Sequence, residues 1–278
     1  MRQRTARLRR LDDVLGGGDT YRVYLGEYQA TKTMLREGSY TEETGRALRS
    51  VLAEQAQQAG WAAFDAGKHA DATSLYETSH QAATEAGDTA LAGNALAFLA
   101  YQEINTDRSA GMETAVQACR TAGPDAPPGV RALLHERLAW AYAVAGNASE
   151  TDRALSIAES ALGEGDGSPQ PDWSAWVDRN ELQIMTGRCW TELRRPLRAV
   201  PVLEDLTWRE TVSARIPLPD GRATLQVPDA TPIMLTARVT LGNDDRPLIL
   251  EELRASADRA QLAYHITADR ALRVATSS

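Results

Sequence analysis

The segment SVLAEQAQQAGWAAFDAG, residues 50–67, decides the fold together with DATSLYETSHQAATEAG at 71–87. Apolar residues recur in both segments at spacings of three and four, which predicts two amphipathic helices. Gly67 and Gly87 mark their predicted ends, because glycine accepts the left-handed backbone that closes a helix. Asp71 is the predicted N-cap of the second helix. The short KHA connection between the segments predicts an antiparallel hairpin.

The same pattern returns further along the chain. Further helix pairs are predicted at 89–104 with 111–123, at 127–147 with 149–163, and at 172–193 with 197–206. When Gly67 is aligned with Gly146, Trp61 falls on Trp140, an offset that two units of about 40 residues produce. Tyr101 lies near the midpoint of this offset. Because one hairpin cannot bury its own apolar face, such units are expected to stack.

Stacked hairpins favour a binding protein, because a curved layer of helices can hold a peptide or a small molecule. On helical spacing, each aromatic shares a face with the residues four and seven before it. The sets are Glu54, Gln58 and Trp61; Asn94, Phe98 and Tyr101; and Leu133, Arg137 and Trp140. From these sets we take Asn94, Tyr101, Arg137 and Trp140 as candidate ligand-binding residues. The alternative is that aromatics at this spacing pack in the core.

The composition is typical of a folded globular chain, with 278 residues, 43% hydrophobic, 24% charged and a net charge of −8. No apolar run approaches the roughly 20 residues that cross a bilayer, and the start has no apolar stretch of a signal peptide. We therefore expect a cytoplasmic protein with no membrane partner.

Residues that carry chemistry are sparse. Cys119 and Cys189 stand far apart in the chain, and the four histidines are scattered, so no metal site is expected. The GGGD at 16–19 has no preceding strand and no following Lys-Ser/Thr pair, which argues against a phosphate loop. With no recognisable catalytic motif either, we expect no cofactor and no enzymatic activity.

The pattern changes at Leu206, and the segment 206–278 holds five of the twelve prolines. Alternation replaces the helical period and predicts strands at 211–218, 231–241, 247–253 and 262–266, with a turn at 242–246. The predicted domains are N-terminal helices at 1–40, helical-hairpin repeats at 41–205 and a small α+β module with antiparallel strands at 206–278. The expected fold class is therefore mainly α.

Two stretches of the helical part resemble a known family. The run LRRLDDVLGGGDTYRVYLGEYQATKTMLREGSY at 8–40, with residues 59–101, resembles the helical C-terminal sensor region of actinobacterial Xre-type helix-turn-helix transcriptional regulators. The resemblance covers about residues 5–205 and is tetratricopeptide-like in Ala72 and Tyr76, which match small and aromatic packing positions. In that family the region follows an N-terminal DNA-binding domain. The resemblance therefore implies DNA contact only indirectly or through a domain missing here.

Residues of about 207–270 resemble the C-terminal half of a UTRA domain, the effector-sensing module of GntR/HutC-type transcriptional regulators. LQVPDATPIM at 225–234, Arg238, the turn before Pro247 and Asp258-Arg259 carry this resemblance. It adds Arg238 to the candidate ligand-binding residues. Ile249 and Ala255 depart from the family pattern, which often has an acid and an aromatic there.

Together the resemblances predict a transcriptional regulator-like fragment or fusion. It would sense a small-molecule or peptide effector through its helical repeats and a partial UTRA module. Half of a UTRA sheet should leave an apolar face uncovered, and dimerisation is the family habit, so a homodimer is a further expectation. The alternative is a protein–protein interaction scaffold whose tail serves as a dimerisation cap.

Overall fold

Ten helices and three strands occupy the described part of the computed structural model, which comprises residues 1–15, 17–164, 170–203, 207–216, 227–228, 231–241 and 247–257. The helices are α1 (Arg2–Leu15), α2 (Gly17–Glu37), α3 (Glu42–Asp65), α4 (His69–Ala86), α5 (Thr89–Glu103), α6 (Arg108–Ala122), α7 (Pro128–Val144), α8 (Ala148–Glu164), α9 (Arg179–Glu192) and α10 (Pro196–Leu203). The strands are β1 (Thr207–Arg215), β2 (Ile233–Leu241) and β3 (Pro247–Ser256). The prediction of a mainly helical fold with a small antiparallel sheet is confirmed.

The helices pack as hairpins in chain order. α3 packs on α4, α5 on α6, α7 on α8 and α9 on α10, and the short connections make each pair antiparallel. The odd-numbered helices from α1 to α9 also pack on one another in sequence. They therefore form one continuous layer, called the inner layer below, and every hairpin buries its apolar face against its neighbours.

Two of the hairpin turns, those that follow α3 and α7, have the same structure. Gly67 and Gly146 both follow a helix C-cap with positive φ, +74° and +78°. In each turn the next backbone N–H donates to a carbonyl five residues back, Lys68 to Ala63 and Asn147 to Tyr142, both at 2.8 Å. This double-bonded ending satisfies carbonyls that a helix end leaves free. The alignment of Gly67 with Gly146 therefore matches equivalent positions of two repeats.

Small residues set the distance between the helices. Alanine dominates the buried core, and several glycines lie where two backbones nearly touch. A Cβ at Gly93 of α5 would stand 2.7 Å from the Ala118 carbonyl oxygen of α6, and a Cβ at Gly111 would stand 2.7 Å from the Ile104 nitrogen. Neither backbone atom can turn aside as a side chain could. The α5–α6 hairpin is therefore closed to any larger residue at these places.

Three predicted helix starts are wrong. The helix predicted at 50–67 is α3, which begins eight residues earlier at Glu42, because the Thr41 side chain caps it by accepting from the Thr44 N–H. α4 begins at His69 after Lys68, with no side-chain cap, and Asp71 instead accepts a hydrogen bond from the Tyr21 hydroxyl at 3.1 Å. The helix predicted from residue 172 begins only at Arg179, because the Asp178 side chain caps it by accepting from the Glu181 N–H.

Residues 172–176 form turns before α9, and Trp173 in these turns and Val177 directly after them are buried. Their apolar pattern arises from packing of a turn and not from a helix. Pro201 lies inside α10, the second helix of the last hairpin.

The sheet forms a second unit. The chain divides into Met1–Asp205 and Leu206–Ser278, at the position where the sequence pattern changes. The strands of this second unit follow the order β1-β2-β3 and are all antiparallel. Val212 lies opposite Thr236, and Thr236 lies opposite Leu253. The predicted strand at 262–266 and the predicted turn at 242–246 lie outside the described residues.

Among the described residues, no helix is both long enough and apolar enough to cross a membrane.

Replacing Gly93 by alanine tests the close approach of α5 and α6. We expect Gly93→Ala to lower the free energy of unfolding by roughly 1–3 kcal/mol, because the added methyl group pushes two backbones apart. Gly26→Ala on α2 is the matched control, since a Cβ there meets nothing within 4 Å. It should raise stability by roughly 0.5–1 kcal/mol through the better helix propensity of alanine. Urea unfolding followed by circular dichroism measures both, and a Gly93→Ala variant as stable as the parent would contradict the constraint.

Candidate functional site

Three of the aromatic positions aligned by the repeat lie at corresponding places on the inner layer. Trp61 is near the end of α3, Tyr101 near the end of α5 and Trp140 near the end of α7, and all three are half-buried. The repeat brings them to the same edge of successive helices, because each hairpin advances by one unit of the stack. This edge therefore carries the candidate site.

The first part of the edge is an aromatic cluster made of Trp61, Phe64, Phe98 and Tyr101. The Trp61 ring centroid lies 5.6–5.8 Å from those of the other three, and Phe64 lies 5.9 Å from Tyr101. Phe98 also stacks on the buried ring of Tyr76 at 5.5 Å. All four rings of the cluster are half-buried. They therefore pack on the core with one side and leave the other side available for contact.

Asn94 lies deeper than the aromatic cluster. It is 5% exposed, and its side-chain amide donates to Gln57 of α3 at 2.7 Å. Gln57 in turn donates to the Ser79 hydroxyl and the Leu91 carbonyl. The structure thus places Asn94 in a polar network that joins α3, α4 and α5. Its ligand-binding role stays a prediction.

The second part is an arginine–tryptophan cluster made of Arg137 and Trp140 of α7, Arg188 of α9 and Trp176 of the preceding turn. The Arg188 guanidinium lies 4.8 Å from the centre of the Trp140 ring, and that of Arg137 lies 6.0 Å from the Trp176 ring. Both guanidiniums also donate to the Met185 sulfur at 3.7 Å. Residues of α9 therefore contact both Arg137 and Trp140, two of the predicted site residues. Sequence reasoning did not connect α9 with them.

Sequence reasoning missed Arg188 and Trp176 because the last repeat is longer. More residues separate the end of α7 from the end of α9 than separate the end of α5 from the end of α7. The extra residues break the spacing that aligned the earlier repeats. The pair Asp178 and Glu181 has the spacing of an N-terminal cap, and that signal could have placed the helix correctly.

A buried carboxyl group lies beneath the arginines. Glu136 of α7 is fully buried, and in the described part of the chain neither of its carboxyl oxygens has a hydrogen-bond partner. The nearest guanidinium atom, Arg137 Nε, is 3.7 Å away, beyond hydrogen-bond length. Burial raises the pKa of Glu136 to about 8, against the opposing effect of Arg137. Burial therefore favours the protonated, uncharged form of this group.

The second acid of the cluster is Glu181 of α9. Its Oε1 lies 3.8 Å from Arg137 Nη2, which is also too long for a hydrogen bond. Burial raises the pKa of Glu181 above its ordinary value, while Arg137 and Arg188 lower it. Because burial favours the uncharged form of Glu136, Glu181 is the acid that opposes the two guanidiniums most directly.

Arg238 belongs to the second unit. It lies on β2, is exposed, and donates through Nε to Glu210 of β1 at 2.8 Å. The two residues are directly opposite in the strand register. The effector-binding role that the UTRA resemblance implies for Arg238 stays a prediction.

The cysteines are not arranged for chemistry. Cys119 is half-buried and Cys189 buried, and both are free thiols. Burial raises the pKa of each to about 12, so both stay protonated and weakly nucleophilic at neutral pH. Within the described residues no group of three or more His, Cys, Asp or Glu side chains could hold a metal ion.

A groove of about 620 Å³ lies at the other end of the hairpins, where the start of α3 meets the α4–α5 and α6–α7 turns. Asp88 in this groove already caps α5 and accepts from the Ser50 hydroxyl, and Arg46 donates to Glu42. These charges support helix ends. The edge with the rings and the half-buried arginines is therefore the better candidate for ligand contact.

In comparisons with known proteins, no family model, no curated protein and no solved structure matches the chain.

Glu136 predicts an unusual pH dependence of stability. Its pKa in the folded chain is above its ordinary 4.5, so the folded state holds a proton that the unfolded state releases. The contribution of Glu136 to stability is therefore greatest at low pH and falls as the pH rises from about 5 towards 8, by up to about 1.4 kcal/mol per pH unit. Glu136→Gln should lessen this fall and exceed the parent in stability at pH 9. Melting temperatures across this range measure the effect.

The matched control is Glu159→Gln, because Glu159 is an exposed acid on the neighbouring helix α8. Its pH profile should follow that of the parent. Parallel profiles for Glu136→Gln and the parent would show that Glu136 ionises in the folded state as it does in water.

Proposed function

We propose that this protein is the sensing part of a transcriptional regulator, and that it holds a small-molecule or peptide effector against the inner layer of its helical repeats. The observation that carries the proposal is the edge on which half-buried rings and guanidiniums of α3, α5, α7 and α9 follow one another. Large amphipathic side chains of this kind dominate binding surfaces, since they bring apolar area and polar contacts together.

The stacked hairpins also supply a way to pass on the binding event. In the described part of the chain, the hairpins make their main contacts with their neighbours, so the spacing and angle of the stack can change by small steps. An effector that touches α7 and α9 together would favour the arrangement in which both helices contact it. The partial UTRA-like tail, with Arg238, is proposed as a second place of effector contact.

Binding, and not catalysis, is the proposed activity, in the cytoplasm. The thiols are held protonated by burial, and the acids of the arginine–tryptophan cluster are buried or close to guanidiniums. Direct reading of DNA is not proposed for this chain, because its net charge of −8 opposes phosphate contact. Any effect on DNA would be indirect or would pass through another domain.

Mobility-shift assays with DNA from around its own gene test the regulatory part of the proposal. We expect no sequence-specific complex from this chain alone, because an acidic protein gains little from counterion release. A tight complex that unrelated competitor DNA does not remove would contradict the proposal that this chain does not read DNA directly.

A thermal-shift screen tests the binding part. We expect at least one member of a panel of small acids, amines and short peptides to raise the melting temperature, since a ligand of the folded state stabilises it. The rise should be lost in Trp140→Ala and kept in Ile157→Ala, an exposed residue of α8 outside the inner layer. Equal shifts in both variants would move the site away from this edge.

A second candidate function is an interaction scaffold whose tail is a dimerisation cap. It is favoured by Val212 and Leu253, which stand on either side of Thr236 in the sheet and are 49% and 56% exposed. Exposed apolar side chains on a sheet form a surface that a second copy could cover.

Light scattering of the full chain tests this candidate. A dimer that dissociates on Val212→Glu would support the cap, because the introduced charge would have to be buried in the interface. A parent chain that is monomeric at micromolar concentration would contradict it.

A further inference from the structure

We propose that Arg137 and Arg188 bind the carboxylate of a small aromatic acid, whose flat body lies against Trp140 and Trp176. This inference rests on the proposed function and names the class of effector. It follows from what the two guanidiniums lack, from the charge around them and from the shape of the neighbouring rings.

The two arginines have more N–H donors than the described residues around them can accept. Each guanidinium has five N–H donors. In the part of the chain that the structure describes, each finds one hydrogen-bond acceptor, the sulfur of Met185 at 3.7 Å. A thioether sulfur is a weak acceptor. The two guanidinium groups can therefore still donate to stronger acceptors. A carboxylate offers two oxygens in a geometry that matches the N–H groups of a guanidinium.

The nearby acids lie too far from Arg137 to accept hydrogen bonds from its N–H groups. Arg137 lies 3.7 Å from Glu136 and 3.8 Å from Glu181, distances of an ion pair without a hydrogen bond. Glu136 is fully buried, so it cannot move outward to meet the guanidinium without leaving its packed position. An external anion can reach Arg137, whose side chain keeps 24% of its surface exposed.

The two neighbouring tryptophans offer a surface for the body of the ligand. Trp176 is 43% exposed and Trp140 is half-buried, and each ring lies within 6.0 Å of one of the guanidiniums. An aromatic ring placed beside an indole gains apolar burial and the attraction between offset rings. A carboxylate attached to such a ring would contact the arginines while the ring contacts the tryptophans.

A small acid suits the site better than an acidic peptide does. Both guanidiniums contact the same sulfur atom, so they are close enough to share a single carboxylate. A peptide with several acidic residues would carry further charges towards a protein of net charge −8. The two guanidiniums meet at one place in the arginine–tryptophan cluster, and this arrangement fits one negative group.

Glu136 makes this binding dependent on pH. The charged or titratable groups that act on it are Arg137 on its own helix and Glu181, Arg188 and the Cys189 thiol on α9. While Glu136 is protonated, it leaves the guanidiniums to the ligand. Once Glu136 ionises at higher pH, its charge attracts Arg137 and repels the carboxylate of the ligand. Affinity for the acid should therefore fall as the pH rises past 8.

Isothermal titration calorimetry of the full chain with phenylacetate and indole-3-acetate at pH 7 tests the proposal. We expect binding of at least one acid at millimolar or lower concentration, and none of phenylacetamide, which has the same ring without the charge. Arg137→Gln and Arg188→Gln should each weaken binding about tenfold or more, as loss of a charge-assisted contact predicts.

Arg131→Gln is the matched control. Arg131 lies on α7 with a side chain 23% exposed, and it already donates to the Ala126 carbonyl and to Glu164. This variant should bind the acid within about twofold of the parent, since the substitution lies outside the arginine–tryptophan cluster and distant sites act independently. In Glu136→Gln the affinity should no longer fall between pH 7 and 9.

Three results would overturn the inference. They are no binding of either acid by a chain that melts cooperatively, equal affinity in Arg131→Gln and Arg188→Gln, or binding of a singly acidic pentapeptide at least about tenfold tighter than the small acids. If instead an amine or a neutral ligand gives a thermal shift that Trp140→Ala removes, the proposed function stands and the carboxylate assignment alone fails.

Discussion

The close approach of helices lined with alanine and glycine is the constraint on which the rest of the structure depends. At Gly93 and Gly111 the backbones of the α5–α6 hairpin leave no room for a Cβ, and the buried faces of α3 and α7 are rich in alanine. Small residues gain little from burial one by one, so stability comes from many short contacts repeated along the stack. The hairpins must therefore pack on one another, and none could hold its shape alone.

This tight spacing also decides where large side chains can go. Rings and long side chains that do not fit between the helices collect where the inner layer meets solvent, as Trp61, Tyr101 and Trp140 do. Glu136, by contrast, is a carboxyl group that is fully buried between α7 and the residues that pack on it. Burying such a group costs free energy unless it is neutral or well paired. Its presence beneath two arginines is what makes the α7–α9 region unlike the other hairpins.

Particular elements show how far sequence reasoning reaches. The α3–α4, α5–α6 and α7–α8 hairpins follow from apolar spacing and from the glycines at their ends, because both signals are local. The three strands follow from alternation for the same reason. The predicted start of α9 is wrong. Trp173 and Val177 are buried in the turn region before the helix, and apolar residues in a sequence do not by themselves distinguish a buried turn from a helix. Of the candidate site, Arg137 and Trp140 were found by register, while Arg188 was missed because the repeat length changes.

The sequence by itself determined the succession of hairpins, the change to strands near Leu206 and the repeated positions of Trp61 and Trp140. Each of these is encoded in residues close together in the chain, where propensity and periodicity act. Only the tertiary structure decided that Arg137 and Arg188, on two different helices, share the sulfur of Met185 above the buried Glu136. Which side chains meet across two helices depends on the axial offset and rotation of the packed pair. Those quantities come from the sum of many contacts and leave no local pattern.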